Sequence, residues 1–270
     1  MFMKTKDWMD VIRTDELAAG DSFIHRLDPR AKIIVTSGFV VTIVSYPKNV
    51  VSALTPFIFY PVVLMATAGI PVRPVLRRIL LASPFALAVA VFNPLLDREP
   101  ALTVGGLTIS CGWISFCSIM LRFFLTVASA LIVAACTGMQ RLGSGLEQLG
   151  VPRVLVAQLL FLHRYFFVLA DELRRMHRSI LLRSGAQQSL SLRVYAYLLG
   201  SLLLRAMDRA ERIHRAMVAR GFNGRIRLLR HSAFGWREWI FLCGWLAFFV
   251  AARCWNLATG LANMLEKIAV

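Results

Sequence analysis

Six apolar runs succeed one another along the chain, at 33–46, 50–68, 79–92, 113–137, 154–170 and 239–252. The polar positions between them set their direction. Arg26, Arg30 and Lys32 precede the first run, and because basic side chains stay on the cytoplasmic side of a membrane, the chain enters from inside. Pro47 and Asn49 make a tight turn. The second run is long enough to span at 1.5 Å per residue even with Pro56 and Pro61 kinking it, and it returns the chain to Arg73, Arg77 and Arg78. The third leads to Asn93-Pro94 and a loop whose only charges are Asp97, Arg98 and Glu99, a balance that fits the outer side. Gly105 and Gly106 end that loop. The fourth run goes back in, broken only by Arg122, whose guanidinium must pair, line a polar crevice or snorkel.

The fifth run raises a question of parity. It has roughly the length of a span, yet crossing there would carry everything after it to the outside. Immediately C-terminal to it lies the most arginine-rich part of the chain: fourteen arginines from Arg174 to Arg237, opposed by Asp171, Glu172, Asp208 and Glu211. Arg141 and Arg153 precede the run, so both its flanks are basic. It reads as a helix that dips into the interface or packs on other spans, with His163 and Arg164 on a polar edge. The last run then crosses once more, flanked by Trp236, Trp239 and Trp255 as interfacial aromatics. The predicted architecture is an all-α membrane protein with about five transmembrane helices, N-terminus in and C-terminus out, plus a cytoplasmic module of amphipathic helices. In segments, 1–31 is a cytoplasmic or interfacial leader, 32–137 holds transmembrane helices 1 to 4, 138–237 is the arginine-rich module, and 238–270 is the last span and a tail.

Within that module Leu173, Met176 and Ile180 recur at helical spacing, and Asp171 stands three and four residues before Arg174 and Arg175. A helix is therefore expected to run on to Arg183 and stop at Gly185. The stretch 190–204 is apolar apart from Arg193 and Gly200 and should lie against the membrane. From Arg205 onward Ala206, Ala210, Ile213 and Met217 share one face, with Arg205, Arg209 and Arg212 on the adjacent one. Asp208 to Arg212 and Glu211 to Arg215 are favourable i,i+4 pairs. That helix ends at Ala219-Arg220-Gly221. Two helices thus finish alike, at Leu182-Arg183-Ser184-Gly185 and at Ala219-Arg220-Gly221. Dipole compensation and a left-handed glycine cap explain each end alone. Their recurrence in one surface module suggests a further use, since a guanidinium fork suits the carboxylates of a partner.

Composition agrees with the pattern. Of 270 residues 57% are hydrophobic and 17% charged, with a mean hydropathy of +0.63, too apolar for an ordinary globular domain. The net charge of +16 follows from the positive-inside rule rather than from nucleic-acid binding, and its excess favours anionic lipid or an acidic protein partner. Five cysteines, Cys111, Cys117, Cys136, Cys243 and Cys254, all sit in or beside apolar runs, where a thiol acts as a small hydrophobe. Neither a disulfide framework nor a zinc knuckle is implied. No lysine follows a glycine, so there is no Walker A loop. His25, His163, His177, His214 and His231 are too dispersed for a metal site, and no catalytic constellation stands out. Asp28 and Pro29 read as the cap and first turn of the first spanning helix.

Three segments carry a resemblance. Ser22 to Lys32, reading Ser-Phe-Ile-His-Arg-Leu-Asp-Pro-Arg-Ala-Lys, then His163-Arg164-Tyr165 through Asp171-Glu172-Leu173 to Arg183, and finally Ala216 to Phe222, look like the membrane-embedded T subunit (EcfT family) of energy-coupling-factor ABC transporters. The likeness is greatest to its cobalt-type CbiQ branch. The resemblance implies a non-enzymatic, multi-pass subunit of the bacterial cytoplasmic (inner) membrane. Its partners would be two cytoplasmic ABC ATPases and a substrate-binding S-type membrane subunit. ATP and magnesium would reside in the ATPases and a cobalt ion in the partner, with no cofactor or metal on this chain. It also implies that Leu182, Arg183, Ser184 and Ala219, Arg220, Gly221 are the two ATPase-docking motifs. The second fits the family's Ala-Arg-Gly form. The first departs from it, because Leu182 precedes the arginine and Ser184 separates it from Gly185. His25, Asp28, Pro29 and Arg30 are either ordinary helix-start chemistry or a family-specific subunit contact. Two other readings compete: a membrane enzyme acting on lipid or phosphate headgroups, and a channel lined near Arg122. Nickel or a vitamin is the alternative cargo.

Overall fold

A computed structural model of the chain describes residues 20, 22–47, 52–96, 100–104, 107–183, 191–222, 224 and 234–254. Its helices are α1 (Phe23–Arg26), α2 (Pro29–Val44), a 3₁₀ segment Ser52–Ile58 running into α3 (Phe59–Ala68), α4 (Val72–Leu96), α5 (Cys111–Thr137), α6 (Met139–Gln148), α7 (Arg153–Arg183), α8 (Leu192–Ala219) and α9 (Trp236–Cys254). A short antiparallel hairpin, β1 (Pro100–Val104) with β2 (Leu107–Ser110), joins α4 to α5 where the sequence suggests only a loop. The chain divides into two compact units, one of residues 1–145 with 231–270 and one of residues 146–230.

In the first unit the helix boundaries follow local chemistry. The Asp28 carboxylate accepts from the Arg30 amide at 2.8 Å and Pro29 fills the first turn, so α2 starts where a donor-poor residue is tolerated. Gly69 ends α3 at φ +65°, a left-handed cap that a side chain would resist. The second apolar run is not one α-helix: Pro56 lies in its 3₁₀ half and Pro61 in the first turn of α3, where the missing amide costs no hydrogen bond. Aromatic rings hold the unit together. Phe39 on α2 lies 4.5 Å from the Tyr60 ring and 5.4 Å from the Phe249 ring on α9, and Tyr60 meets Trp245 edge-on at 4.8 Å. The Tyr60 hydroxyl is satisfied by Thr36 Oγ1 at 2.8 Å.

Contacts between α2 and α9 fix their relative direction. Gly38 faces Leu246, Phe39 faces Phe249, and Arg253 stands over the Tyr46 ring, so both helices run the same way. If α2 leaves the cytoplasm, α9 leaves it too, so the chain between them begins outside, where α2 ends, and finishes inside, where α9 starts.

By length and composition three of the described helices are able to cross a membrane: 72–94, 112–137 and 153–183. This differs from the expected set of about five. With 16 residues α2 is about 24 Å long, and α9 with 19 is about 28 Å, short for a 30 Å core. Conversely the third qualifying helix, α7, contains the run read as non-crossing.

The second unit resolves that conflict. It is an antiparallel pair of long helices: Phe161 on α7 meets Phe222 just past α8, Glu172 meets Arg205 and Arg209, and His177 stacks on Tyr195. The apolar half of α7 therefore lies beside the arginine-rich half of α8. The arginine-rich half of α7 lies beside the apolar half of α8. Neither half-pair is an apolar rod, so hydrocarbon suits neither, although α7 alone would pass as a span. The stretches 190–204 and 205–219, expected as separate elements, are corrected to one continuous 28-residue helix that starts at Leu192.

Candidate functional site

The hairpin of α7 and α8 carries both recurring arginine ends, and antiparallel pairing puts them at opposite tips. Arg183 is the last residue of α7, exposed, beside Leu182, which is 74% exposed. Ser184 and Gly185 lie outside the described residues. Ala219 is the last residue of α8 and Arg220 its C-cap. With α8 rising about 1.5 Å per residue over 28 residues, the two guanidinium groups sit roughly 40 Å apart.

The tip at Arg220 is fully built. The Gly221 amide donates to the Val218 carbonyl at 2.9 Å, and the Phe222 amide to the Met217 carbonyl at 3.0 Å. With Gly221 at φ +76° these are the paired bonds of a Schellman cap. The cap turns the chain so that Phe222 returns to Phe161 on α7 at 6.4 Å between centroids. The backbone at Arg220 is thereby fixed while its side chain stays exposed.

Midway along the hairpin sits a carboxylate to which the sequence pattern gave no role. Glu172, its side chain 13% exposed, accepts from Arg209 Nη2 at 2.9 Å and lies 3.4 Å from Arg205 Nη1. Ala206, Ile213 and Met217 are half-buried on one face as expected, but Ala210 is exposed and Arg209, half-buried and turned toward α7, takes its place there. The signal was available only as an uneven balance: two acids on α7 and fourteen arginines from Arg174 to Arg237. No spacing rule pairs residues 33 and 37 positions apart. The local pairs Asp171 with Arg174 and Glu211 with Arg215 do form as their spacing predicts.

The other group of candidates lies in the first unit. His25 is buried, its Nδ1 2.7 Å from Ser22 Oγ, and its carbonyl accepts from Arg141 Nη1 at 2.7 Å. Asp28 is buried as the α2 cap, with Arg30 Nε 3.9 Å from its carboxylate. Lys32, expected on the cytoplasmic side, is 1% exposed with Nζ 3.5 Å from Thr137 Oγ1 at the end of α5. A side chain on Gly145 would meet Pro29 and Ile33 at 3.0 Å, so α6 packs on the start of α2 with no room to spare. These contacts bind His25–Lys32 to the α5–α6 junction within the unit. Helix capping is thus what Asp28 and Pro29 visibly do.

Against known proteins, residues 20–231 match the CbiQ family, described as cobalt transport protein. The chain belongs to the CbiQ family. It is accordingly a multi-pass membrane protein of a transporter family. A cobalt transport protein CbiQ of Rhodobacter capsulatus is 36% identical over 98 residues, 36% of this chain and 40% of that protein. An uncharacterized protein of Methanocaldococcus jannaschii is 31% identical over 105 residues, 38% of this chain and 39% of its own length. The chain thus spans about two fifths of these two relatives. The energy-coupling factor transporter transmembrane protein EcfT of Listeria innocua is 28% identical over 235 residues, covering 78% of this chain and 86% of that one. The CbiQ match covers all of the α7–α8 hairpin and both of its arginine tips.

The hairpin offers a direct test of its Arg220 tip. A Cβ at Gly221 would touch nothing within 4 Å, so Gly221→Ala adds no clash and acts only through its left-handed backbone. The strain is about 1 kcal/mol. The expected result is fraying of the last turn of α8, read as faster amide exchange at 217–222, with Gly221→Asn, which tolerates that conformation, intermediate between wild type and alanine. Equal exchange in all three proteins would show that the cap does not hold the tip.

Proposed function

We propose that this chain is the coupling subunit of an energy-coupling-factor importer, carrying ATP-driven motion of two cytoplasmic ATPase subunits to a substrate-binding membrane subunit. The observation that carries the reading is the pair of exposed arginines, Arg183 and Arg220, about 40 Å apart at the tips of one stiff hairpin. Two separate docking points at that spacing suit two partner subunits better than one. Each guanidinium stands at the C-terminal end of its helix, where a cation also relieves the helix dipole, and each is placed to enter a carboxylate-lined groove. Glu172, clasping Arg205 and Arg209, joins the two helices so that a push on one tip moves the other.

Cobalt is the proposed cargo, held by the partner subunit, because the matching family and the Rhodobacter capsulatus relative both carry that description. ATP and magnesium belong to the ATPases, since the chain has no phosphate loop of its own. Purifying the protein from its native membrane and identifying what comes with it tests the assignment. Two ATPase chains and one small membrane subunit, with cobalt uptake on reconstitution, are expected. A protein that purifies alone and turns over a lipid with no ATPase present would instead make it an enzyme.

A further inference from the structure

Thr137 at the end of α5 and Arg141 and Gly145 on α6 recur every four residues, and all three are seated on one short stretch of chain, residues 25–33. The Thr137 hydroxyl meets Lys32 Nζ at 3.5 Å. Arg141 Nη1 donates to the His25 carbonyl at 2.7 Å, and a Cβ on Gly145 would stand 3.0 Å from both Pro29 and Ile33. This seat is the segment His25–Lys32, whose use beyond helix capping the coupling role leaves open. The first compact unit includes α6 as far as Gly145, and the second begins with the next residue. The start of α2 therefore holds α6 up to the residue at which the first unit ends.

Beyond α6 the chain enters the hairpin through the turn 149–152. Gly150 there has φ +100°, and a Cβ on it would touch nothing within 4 Å. The Arg153–Glu147 pair across the turn is 3.4 Å apart with Arg153 largely exposed, a weak brace. An open turn of this kind can absorb a change of φ and ψ. The chain leaves the hairpin at Phe222, which lies against Phe161. Entry and exit are thus at the same end, the one that carries Arg220, and the chain reaches the Arg183 end only along the hairpin itself. Counted along α7 from Arg153, Phe161 is eight residues on and Arg183 thirty, or about 12 Å and about 45 Å. We propose that the hairpin is a cantilever: α6, seated on residues 25–33 by Arg141 and Gly145, holds its root, the turn at Gly150 bends, and the Arg183 tip travels about four times as far as the Arg220 tip. The two ATPase seats are then unequal, one beside the fixed root and the other at the moving end. Arg141 and Gly145 are positioning residues. What drives the excursion rests on the coupling role, whereas the cantilever is a property of this chain alone.

The test uses the full-length protein in lipid nanodiscs, with the cysteines other than buried Cys136 replaced by alanine. Spin labels are placed on α7 by Leu162→Cys or Ser179→Cys, both at exposed positions. Each is located by pulsed dipolar distances to labels at Val44, Leu81 and Gln140, exposed positions of the first unit. Without ATPases, the positional spread should be about threefold wider at 179 than at 162, in proportion to their places about 39 Å and about 14 Å along α7. With ATPases bound, ATP and vanadate should displace the two labels in the same ratio. Arg141→Gln should loosen the root and bring that ratio close to one. Arg141→Lys, which can still donate to the His25 carbonyl, should restore it, an outcome that a general loss of stability would not give. Gly145→Val should act as Arg141→Gln does, and if either variant fails to fold the other decides. Equal spread at 162 and 179, or a contrast that survives the loosening variants, overturns the cantilever. ATPases that fail to attach overturn the coupling role alone, because the spread in their absence still decides the cantilever.

Discussion

Replacing Arg183 and Arg220 together by alanine is expected to abolish ATPase attachment and cargo uptake while leaving membrane insertion intact. The reason is geometric before it is electrostatic. Both side chains are exposed and neither has a described partner within the hairpin that its loss would orphan, so the fold has little to lose. A docked ATPase has much to lose, because truncating one member of a buried guanidinium–carboxylate pair costs about 2–5 kcal/mol. Tips about 40 Å apart share no contacts, so the two losses add. Each single variant should weaken attachment by roughly thirtyfold or more, and lysine should rescue only in part, since a point charge lacks the fork. Copurification of tagged protein with its ATPases, followed by uptake in proteoliposomes, measures this. Normal assembly and uptake in the double variant would end the coupling proposal, as would labelling that finds cysteines at positions 183 and 220 on the outer side.

The second large effect should come from Glu172, which lies away from both tips. Changing it to glutamine keeps the volume but removes the charge that Arg205 and Arg209 share. Because Glu172 is largely buried and Arg209 half-buried, the pairing is worth more than an exposed ion pair, about 2 kcal/mol. The α7–α8 contact should then open roughly thirtyfold more often, seen as faster amide exchange around 169–176 and 202–209. ATPases should still dock at the tips. The quantity expected to fall is transport per ATP hydrolysed, because two helices no longer clasped do not transmit a displacement. The reversal Glu172→Arg with Arg209→Glu should recover part of the loss. If Glu172→Gln leaves both exchange and transport per ATP unchanged, the clasp is ornamental and force passes elsewhere.

Different kinds of information underlie the two effects. The helix ends at Arg183 and Arg220 were legible in the chain, because helix ends have a local grammar of cation, glycine and dipole that operates over four or five residues. The Asp28–Pro29 start of α2 was legible for the same reason, as was the i,i+4 pair Glu211–Arg215. Glu172 was not, since its partners are 33 and 37 residues away and nothing in a one-dimensional pattern selects Arg209 over Arg212. Nor was the burial of Lys32, which follows from α5 ending beside the start of α2.

The sequence by itself determined the class of the protein and the chemistry of its helix ends. Apolar runs, basic flanks and caps are local quantities, and transfer energies and helix dipoles act on each segment whatever its neighbours. Only the tertiary structure decided which helices lie beside which. By antiparallel pairing it set the apolar half of α7 against the arginines of α8, so that an apparent span became half of a mixed helical pair, and by packing α2 against α9 it made those two helices run in the same direction. Those outcomes depend on contacts between segments far apart in the chain, where packing and charge compensation override what either segment would do alone.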